Sequence, residues 1–355
     1  MRKLLIGLVI LAALLTGAWY GAETWLSRTA RDLLAGRQDV SATVTPIRQP
    51  GRLGLRLTDI EVAEGGAEAA KLSGMMAYVS LMTPATLTVD LPQAVTLSPT
   101  SAAPTDLGIS DGKAEVTLSP TRQMAISHAG ISGRNLAVNG TSLAGLVDAT
   151  ATLTHMGGAA PAGSAAAYRV DLNGGGLDTG TLPEPLDIAG TVQVWLDAVP
   201  DRALLEGSAR PPQPTGLQTR ALIFKLGDKT ARLAGRIEAD ADGLASGQAA
   251  IYTSDGPAFI DAAAEAGLLP PDVATPLHAL VTRLAGEPAA ATEGEEAPET
   301  AESAVDRANA EIMAEEIVVL PPAGPGEIKL PIFLQDGVMR LGPIPLGAAP
   351  RIAMF

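Results

Sequence analysis

The sequence predicts a mainly β chain, a β-rich α+β protein in which an N-terminal transmembrane helix precedes a large, curved antiparallel sheet with a helical hairpin insert. Three observations predict it. An uncharged apolar run opens the chain, apolar residues recur at every second position between about residues 40 and 255, and Asp-Gly or Asn-Gly pairs punctuate those runs. Composition bounds the core: 46% of the 355 residues are hydrophobic but only 3% are aromatic, so Ala, Val, Leu and Ile must fill it. The absence of cysteine removes disulfides, thiolate nucleophiles and zinc–thiolate sites.

Residues 1–3 form a short tail carrying Arg2 and Lys3, and residues 4–22 form the anchor. Its apolar residues are Leu4, Leu5, Ile6, Leu8, Val9, Ile10, Leu11, Leu14 and Leu15, with Trp19 and Tyr20 near the far end, where amphipathic rings settle at headgroup level. Nineteen residues at helical rise cover about 28 Å, a bilayer-spanning length. A cleaved signal peptide is the alternative, since Thr16 and Ala18 are small residues of the kind that precede a cut. Continuity favours the retained anchor. Trp25, Leu26, Thr29, Ala30, Leu33 and Leu34 continue an apolar stripe at helical spacing through residues 23–36, stopping near Gly36. Flanking charges nearly tie, and the expected orientation places the short tail inside and the body in the periplasm.

Residues 37–255 read as an antiparallel β body. Leu87, Val89 and Leu91 alternate with Thr86, Thr88 and Asp90; Ala114, Val116 and Leu118 with Lys113, Glu115 and Thr117. The same period places Val192, Val194 and Leu196 on one face and Thr191, Gln193 and Trp195 on the other. Such one-faced alternation belongs to antiparallel sheets, because buried parallel strands are apolar throughout. Asp111-Gly112, Asn139-Gly140, Asp242-Gly243 and Asp336-Gly337 are expected tight turns. The last closes a hairpin between Ile328–Leu334 and Val338–Leu341, after which Pro343 and Pro345 restrict the chain to an edge or strand end.

Residues 256–286 predict a helical hairpin. Phe259, Ile260 and Ala263 lie in its first arm; Thr275 caps the second, Pro276 opens it, and Leu277, Leu280, Val281 and Leu284 line one face before Gly286. Residues 287–316 hold ten acidic residues against Arg307 alone, so −9 of the formal −14 sits there and about −5 remains elsewhere. That segment is expected to be disordered, and residues 317–355 to supply strands completing the sheet.

No reaction is legible. His128, His155 and His278 are scattered without Asp or Glu at ligand spacing along the chain, so no metal or general base is expected. Gly140-Thr141-Ser142-Leu143-Ala144 lacks the final glycine of a nucleophile elbow, and Asn173-Gly174-Gly175-Gly176 reads as a flexible turn rather than a dinucleotide loop. No basic stripe interleaved with aromatics exists to hold nucleic acid. No catalytic, metal or cofactor residue is assigned.

The run RQPGRLGLRLTDI at 48–60 and FLQDGVMRLGPIPLGAAPRI at 333–352, behind the single anchor, resemble the alphaproteobacterial family called domain of unknown function 2125 (DUF2125). Pro50, Leu53, Leu55, Leu57, Thr58 and Asp59 match its first pattern. Asp336, Gly337, Leu341, Gly342, Pro343, Leu346, Gly347 and Pro350 match its terminal one. The chain departs from the family at Gln49, where an aromatic is usual. The resemblance implies a structural motif and carries no catalytic residue; its anchored, strand-rich layout is similar to AsmA-type envelope proteins in architecture only. The expected function is a non-enzymatic envelope protein whose apolar sheet face binds or shields lipid-like molecules. The alternative is a scaffold recruiting a protein partner through an edge strand or the acidic segment.

Overall fold

The computed structural model describes residues 2–37, 39–64, 67–98, 103–157, 159–178, 180, 182–265, 274–275, 277–279, 281–282, 320–342 and 344–352, with side chains of the first helix described from Trp19 onward. The protein is mainly β, and the pairings from β1 through β7 and from β9 through β16 are antiparallel. It divides into two compact units, one comprising Met1–Thr150 with Asp201–Leu205, the other Ala151–Pro200 with Glu206–Phe355.

Unit 1 begins with helix α1 (Arg2–Ala35), followed by β1 (Val40–Pro46), β2 (Arg52–Glu64), β3 (Ala67–Ser80), β4 (Thr83–Asp90), β5 (Ala94–Leu97), β6 (Thr105–Ser119), β7 (Ala125–Val138) and β8 (Thr141–Thr154). A short helix α2 (Arg202–Leu205) also belongs to it. The strand order is β1-β2-β3-β4-β6-β7-β8, with β5 beside β4 between β3 and β6. Asn139 (φ 50°) and Gly140 (φ 79°) make the expected tight turn between β7 and β8.

Asp111-Gly112 is a correction. It lies inside β6, where the register slips between Ser110↔Arg134 and Lys113↔Ser132. Asp111 takes φ 52°, and the Gly112 carbonyl accepts the Leu91 N–H at 2.8 Å. The same tolerance of positive φ that suits a turn here serves a bulge.

Helix α1 continues unbroken from the N-terminal run to Ala35, but its packed face is not the expected apolar stripe. Trp25 is 68% and Leu33 70% exposed, whereas Glu23 and Ser27 are buried. The reason lies in the neighbouring backbone. Helix α1 runs antiparallel to the edge strand β1, and Arg31 donates through Nε and Nη2 to the Val44 carbonyl at 3.0 and 2.7 Å. The Glu23 carboxylate accepts the Arg48 N–H at 3.3 and 3.2 Å. An edge strand needs partners for its backbone groups, and polar side chains at helical spacing supply them. Among the described residues no helix is long and apolar enough to cross a membrane; the side chains of Leu4, Leu5, Ile6, Leu8, Val9, Ile10, Leu11, Leu14 and Leu15 lie outside the described residues.

Unit 2 takes the end of β8 and adds β9 (Ala166–Leu177), β10 (Leu186–Leu196), β11 (Pro214–Leu226), β12 (Lys229–Ala239), β13 (Ala245–Thr253), β14 (Ile328–Gln335), β15 (Val338–Leu341) and β16 (Ile344–Ala348), paired in chain order from β9. Asn173-Gly174-Gly175-Gly176 is not a turn but part of β9, with Asn173 opposite Ala189 and Gly174 opposite Ile188. Helix α3 (Gly256–Glu265) and helical residues 274–282, where described, cover β13–β15. Ile260, Leu277 and Val281 pack with Leu330 and Leu341 into a closed core. Thr275 is already helical rather than a cap, and Pro276, Leu280, Leu284 and Gly286 lie outside the described residues, as does all of 287–316.

Trp195 is a further correction. Expected on the solvated face of β10, it is 2% exposed. Its indole N–H donates to the Met156 carbonyl at 3.2 Å, and the Arg236 guanidinium lies 5.3 Å from its ring while also donating to the Ala159 carbonyl. A loop remote in sequence thus roofs a face that alternation marks as open. Tyr252 repeats the arrangement: Arg232 stacks 4.0 Å from its ring and its hydroxyl donates to the Pro321 carbonyl at 2.5 Å.

Candidate functional site

In unit 1 the pairing registers align apolar residues into two complete rows. Leu53, Val79, Leu87, Val116 and Ala129 face one another in turn across β2, β3, β4, β6 and β7. Leu55, Ala77, Val89, Ala114 and Ile131 form the second row. Five strands at about 4.8 Å spacing give a patch roughly 19 Å across. None of these ten residues is fully buried, and Leu87 and Ile131 are 40% and 47% exposed. Side chains of this type in unit 2 behave differently: Leu330 and Leu334 are 6% and 3% exposed beneath their cover.

The intervening rows carry the polar chemistry. Gly54, Tyr78, Thr88, Glu115 and Gly130 make one; Arg56, Met76, Asp90, Lys113 and Ser132 the next. Contrary to the expected inward side of β4, Thr88 is buried and Leu87 is not. Tyr78 explains this. It is buried, it stands opposite both Thr88 and Gly54, where a Cβ would meet the Ala77 carbonyl and Tyr78 Cβ, and Arg52 stacks 4.6 Å from its ring. The Lys113 hydrogen bond at 3.0 Å holds the Glu115 carboxyl below its ordinary pKa, and the same bond raises the Lys113 ammonium. His128 Nε2 is 3.4 Å from Glu115 Oε1, and His278 Nε2 3.6 Å from Asp261 Oδ2, proximities that come from strand and helix packing and not from chain spacing. Among the described residues, no three His, Asp or Glu residues are grouped to hold a metal ion.

An open recess of about 300 Å³ lies where β4 gives way to β5 along β3, lined by Arg56, Thr58, Ser73, Gly74, Asp90 and Gln93 among others. The N-terminal motif brackets it. Thr58 faces Gly74, and Asp59 takes φ 51° at a bulge where Thr43↔Thr58 steps to Ser41↔Glu61. Pro50 sits in the turn before β2, closed by the Arg52 N–H on the Gln49 carbonyl at 3.2 Å.

The terminal motif is distant in sequence and shapes the last strands. Asp336 (φ 52°) and Gly337 (φ 72°) turn β14 into β15 as expected, and Leu341 is buried. Gly342 donates to the Pro331 carbonyl, Gly347 bulges β16, and the Pro350 carbonyl accepts the Ala245 N–H. Pro345 lies on β16, the last strand, as a strand edge requires; Pro343 lies outside the described residues. Of the expected anchor aromatics, Trp19 is half-buried and Tyr20 is 46% exposed beneath the Arg48 guanidinium, 4.6 Å away. Sequence reasoning passed over Glu23, Arg31, Arg232 and Arg236. The spacing of Glu23, Ser27 and Arg31 at every fourth residue was the available signal for the helix face.

Among the described residues, the chain is a mainly β protein whose leading helix is strapped to a sheet edge and whose unit 1 leaves two apolar rows only partly buried. The chain belongs to the family of uncharacterized proteins conserved in bacteria, DUF2125, whose model matches residues 49–350. Comparison with curated proteins and with solved structures gives no match, and no likeness to AsmA-type proteins is found.

Proposed function

We propose that this protein is a non-enzymatic component of the bacterial envelope, held at the inner membrane by residues 4–22, with its body in the periplasm, and that the apolar face of unit 1 receives the acyl chains of lipid-like molecules. The observation that carries the reading is the pair of five-residue apolar rows left uncovered on β2, β3, β4, β6 and β7. A contiguous apolar surface in water favours an apolar occupant. The uncharged run of residues 4–22 supports placement beside a reservoir of such molecules.

The test uses the full chain in mild detergent. Native mass spectrometry should detect bound lipid, and the chain should take up a fluorescent fatty acid. Val89→Asp with Ile131→Asp should abolish both while leaving the circular dichroism spectrum unchanged. Absence of both bound lipid and uptake in the unaltered chain would refute the reading. Recruitment of a protein through an edge strand is less supported. Helix α1 engages β1, and β16 is five residues long with Pro345 within it.

A further inference from the structure

We infer that one end of unit 1 is a membrane-docking surface for anionic lipid headgroups, with the Leu81-Met82 turn entering the interfacial layer. The inference rests on the anchor part of the function proposed above, and it concerns the orientation in which the body is held.

Because α1 runs antiparallel to β1, Arg31 meets Val44 and Glu23 meets Arg48, so Tyr20 lies at the β1–β2 turn and the rest of the helix continues past that turn. The apolar residues 4–18 therefore leave unit 1 at this end. The same end collects the β3–β4 turn, since the Leu81 N–H donates to the Gly51 carbonyl at 2.9 Å and Arg52 is paired with Ser80. Strand direction adds the β6–β7 connection at 120–124, and the bridge from Ala125 to Asp201 adds α2.

The chemistry of this end is that of a headgroup layer. Met82 is 90% and Leu81 62% exposed at the tip of a tight turn, a position where Gly, Asn or Asp is the ordinary choice and where apolar side chains gain nothing from the fold. Leu205 on α2 is 47% exposed. Around them stand the exposed arginines Arg48, Arg52 and Arg122, two of them stacked on the rings of Tyr20 and Tyr78. The acidic residues at these connections are Glu23, buried on the Arg48 N–H, Asp201, which caps the Ala203 N–H, and the exposed Glu206 that follows α2 in the chain. The opposite end carries Arg37 beside Asp39, with Asp106 and the Asn139-Gly140 turn. Exposed apolar tips ringed by arginine and tyrosine, at the level where an apolar helix departs, match an anionic membrane surface.

A chain without cysteine allows single-site labelling. Met82→Cys, Asn139→Cys and Leu11→Cys, each in the full chain and carrying a polarity-sensitive fluorophore, would be reconstituted into phosphatidylcholine vesicles with or without phosphatidylglycerol and containing nitroxide-labelled lipid. The label at 82 should be quenched several-fold more than that at 139, and more so with the anionic lipid. Arg52→Glu with Arg122→Glu should reverse that gain. Quenching at 11 with none at 82 would overturn the docking surface while leaving the anchor in place. Quenching at 82 with none at 11 would support docking and remove the anchor. Quenching at neither would overturn both.

Discussion

Leu87 and Leu330 make a matched pair for testing whether the apolar face of unit 1 is open. Both sit on strands and both belong to apolar rows, but Leu330 is 6% exposed among Ile260, Leu277, Val281 and Leu341, while Leu87 is 40% exposed with cross-strand neighbours Val79 and Val116. Leu330→Ala leaves a cavity enclosed on all sides and should cost about 3 kcal/mol. Leu87→Ala removes carbons that are only partly out of water and leaves no enclosed void. Its cost should stay below about 1 kcal/mol. Hydrogen exchange followed by mass spectrometry reads the two units separately, which a single unfolding midpoint does not. Equal losses at the two sites would mean that Leu87 is packed against something in the free protein, and the open-face reasoning would be refuted.

Tyr168 is pushed up to about 12 by burial, so its neutral form is favoured in the fold. The associated stability is fully present below about pH 10 and is lost as pH rises towards 12; Tyr168→Phe should flatten that alkaline loss in a pH series of urea melts. Glu115 is depressed chiefly by the Lys113 hydrogen bond, so its contribution exists above the ordinary carboxylate range and disappears as pH falls through the folded value. The pair is substantially exposed, and Glu115→Gln should cost less than about 0.5 kcal/mol at neutral pH, with the difference vanishing in acid. Arg236→Ala should free the loop over Trp195, seen as faster proteolysis between residues 157 and 163 and a red-shifted tryptophan emission. Gly337→Ala, at φ 72°, should destabilise the β14–β15 hairpin by about 1 kcal/mol, measured by exchange of its amides.

Much of the strand architecture was legible because alternation and turn chemistry act locally. Asp336-Gly337 and Asn139-Gly140 adopt the positive φ their dipeptides favour, and the runs around them pair across the turn. Asp111-Gly112 adopts the same conformation without reversing the chain, since a bulge and a turn ask the same of those two residues. Trp195 was misplaced because a loop at 156–161 covers it, and alternation reports a side chain's direction but not what comes to lie above it. The packed face of α1 was misread for a related reason. Apolar periodicity registers side-chain burial, whereas Glu23 and Arg31 are positioned by backbone groups of β1 and the turn after it. The apolar rows of unit 1 were readable as alternation along each strand. Their alignment across five strands, and the absence of a cover among the described residues of unit 1, depend on register that a single strand does not encode.

The strap between α1 and β1 bears on how the chain matures. The helix precedes the strand it guards in the chain, so the donor for the Val44 carbonyl and the acceptor for the Arg48 N–H are made before the groups they serve. A fragment trimmed back to Val40 would present a bare selvage, open to stitching onto the same strand of a neighbouring copy.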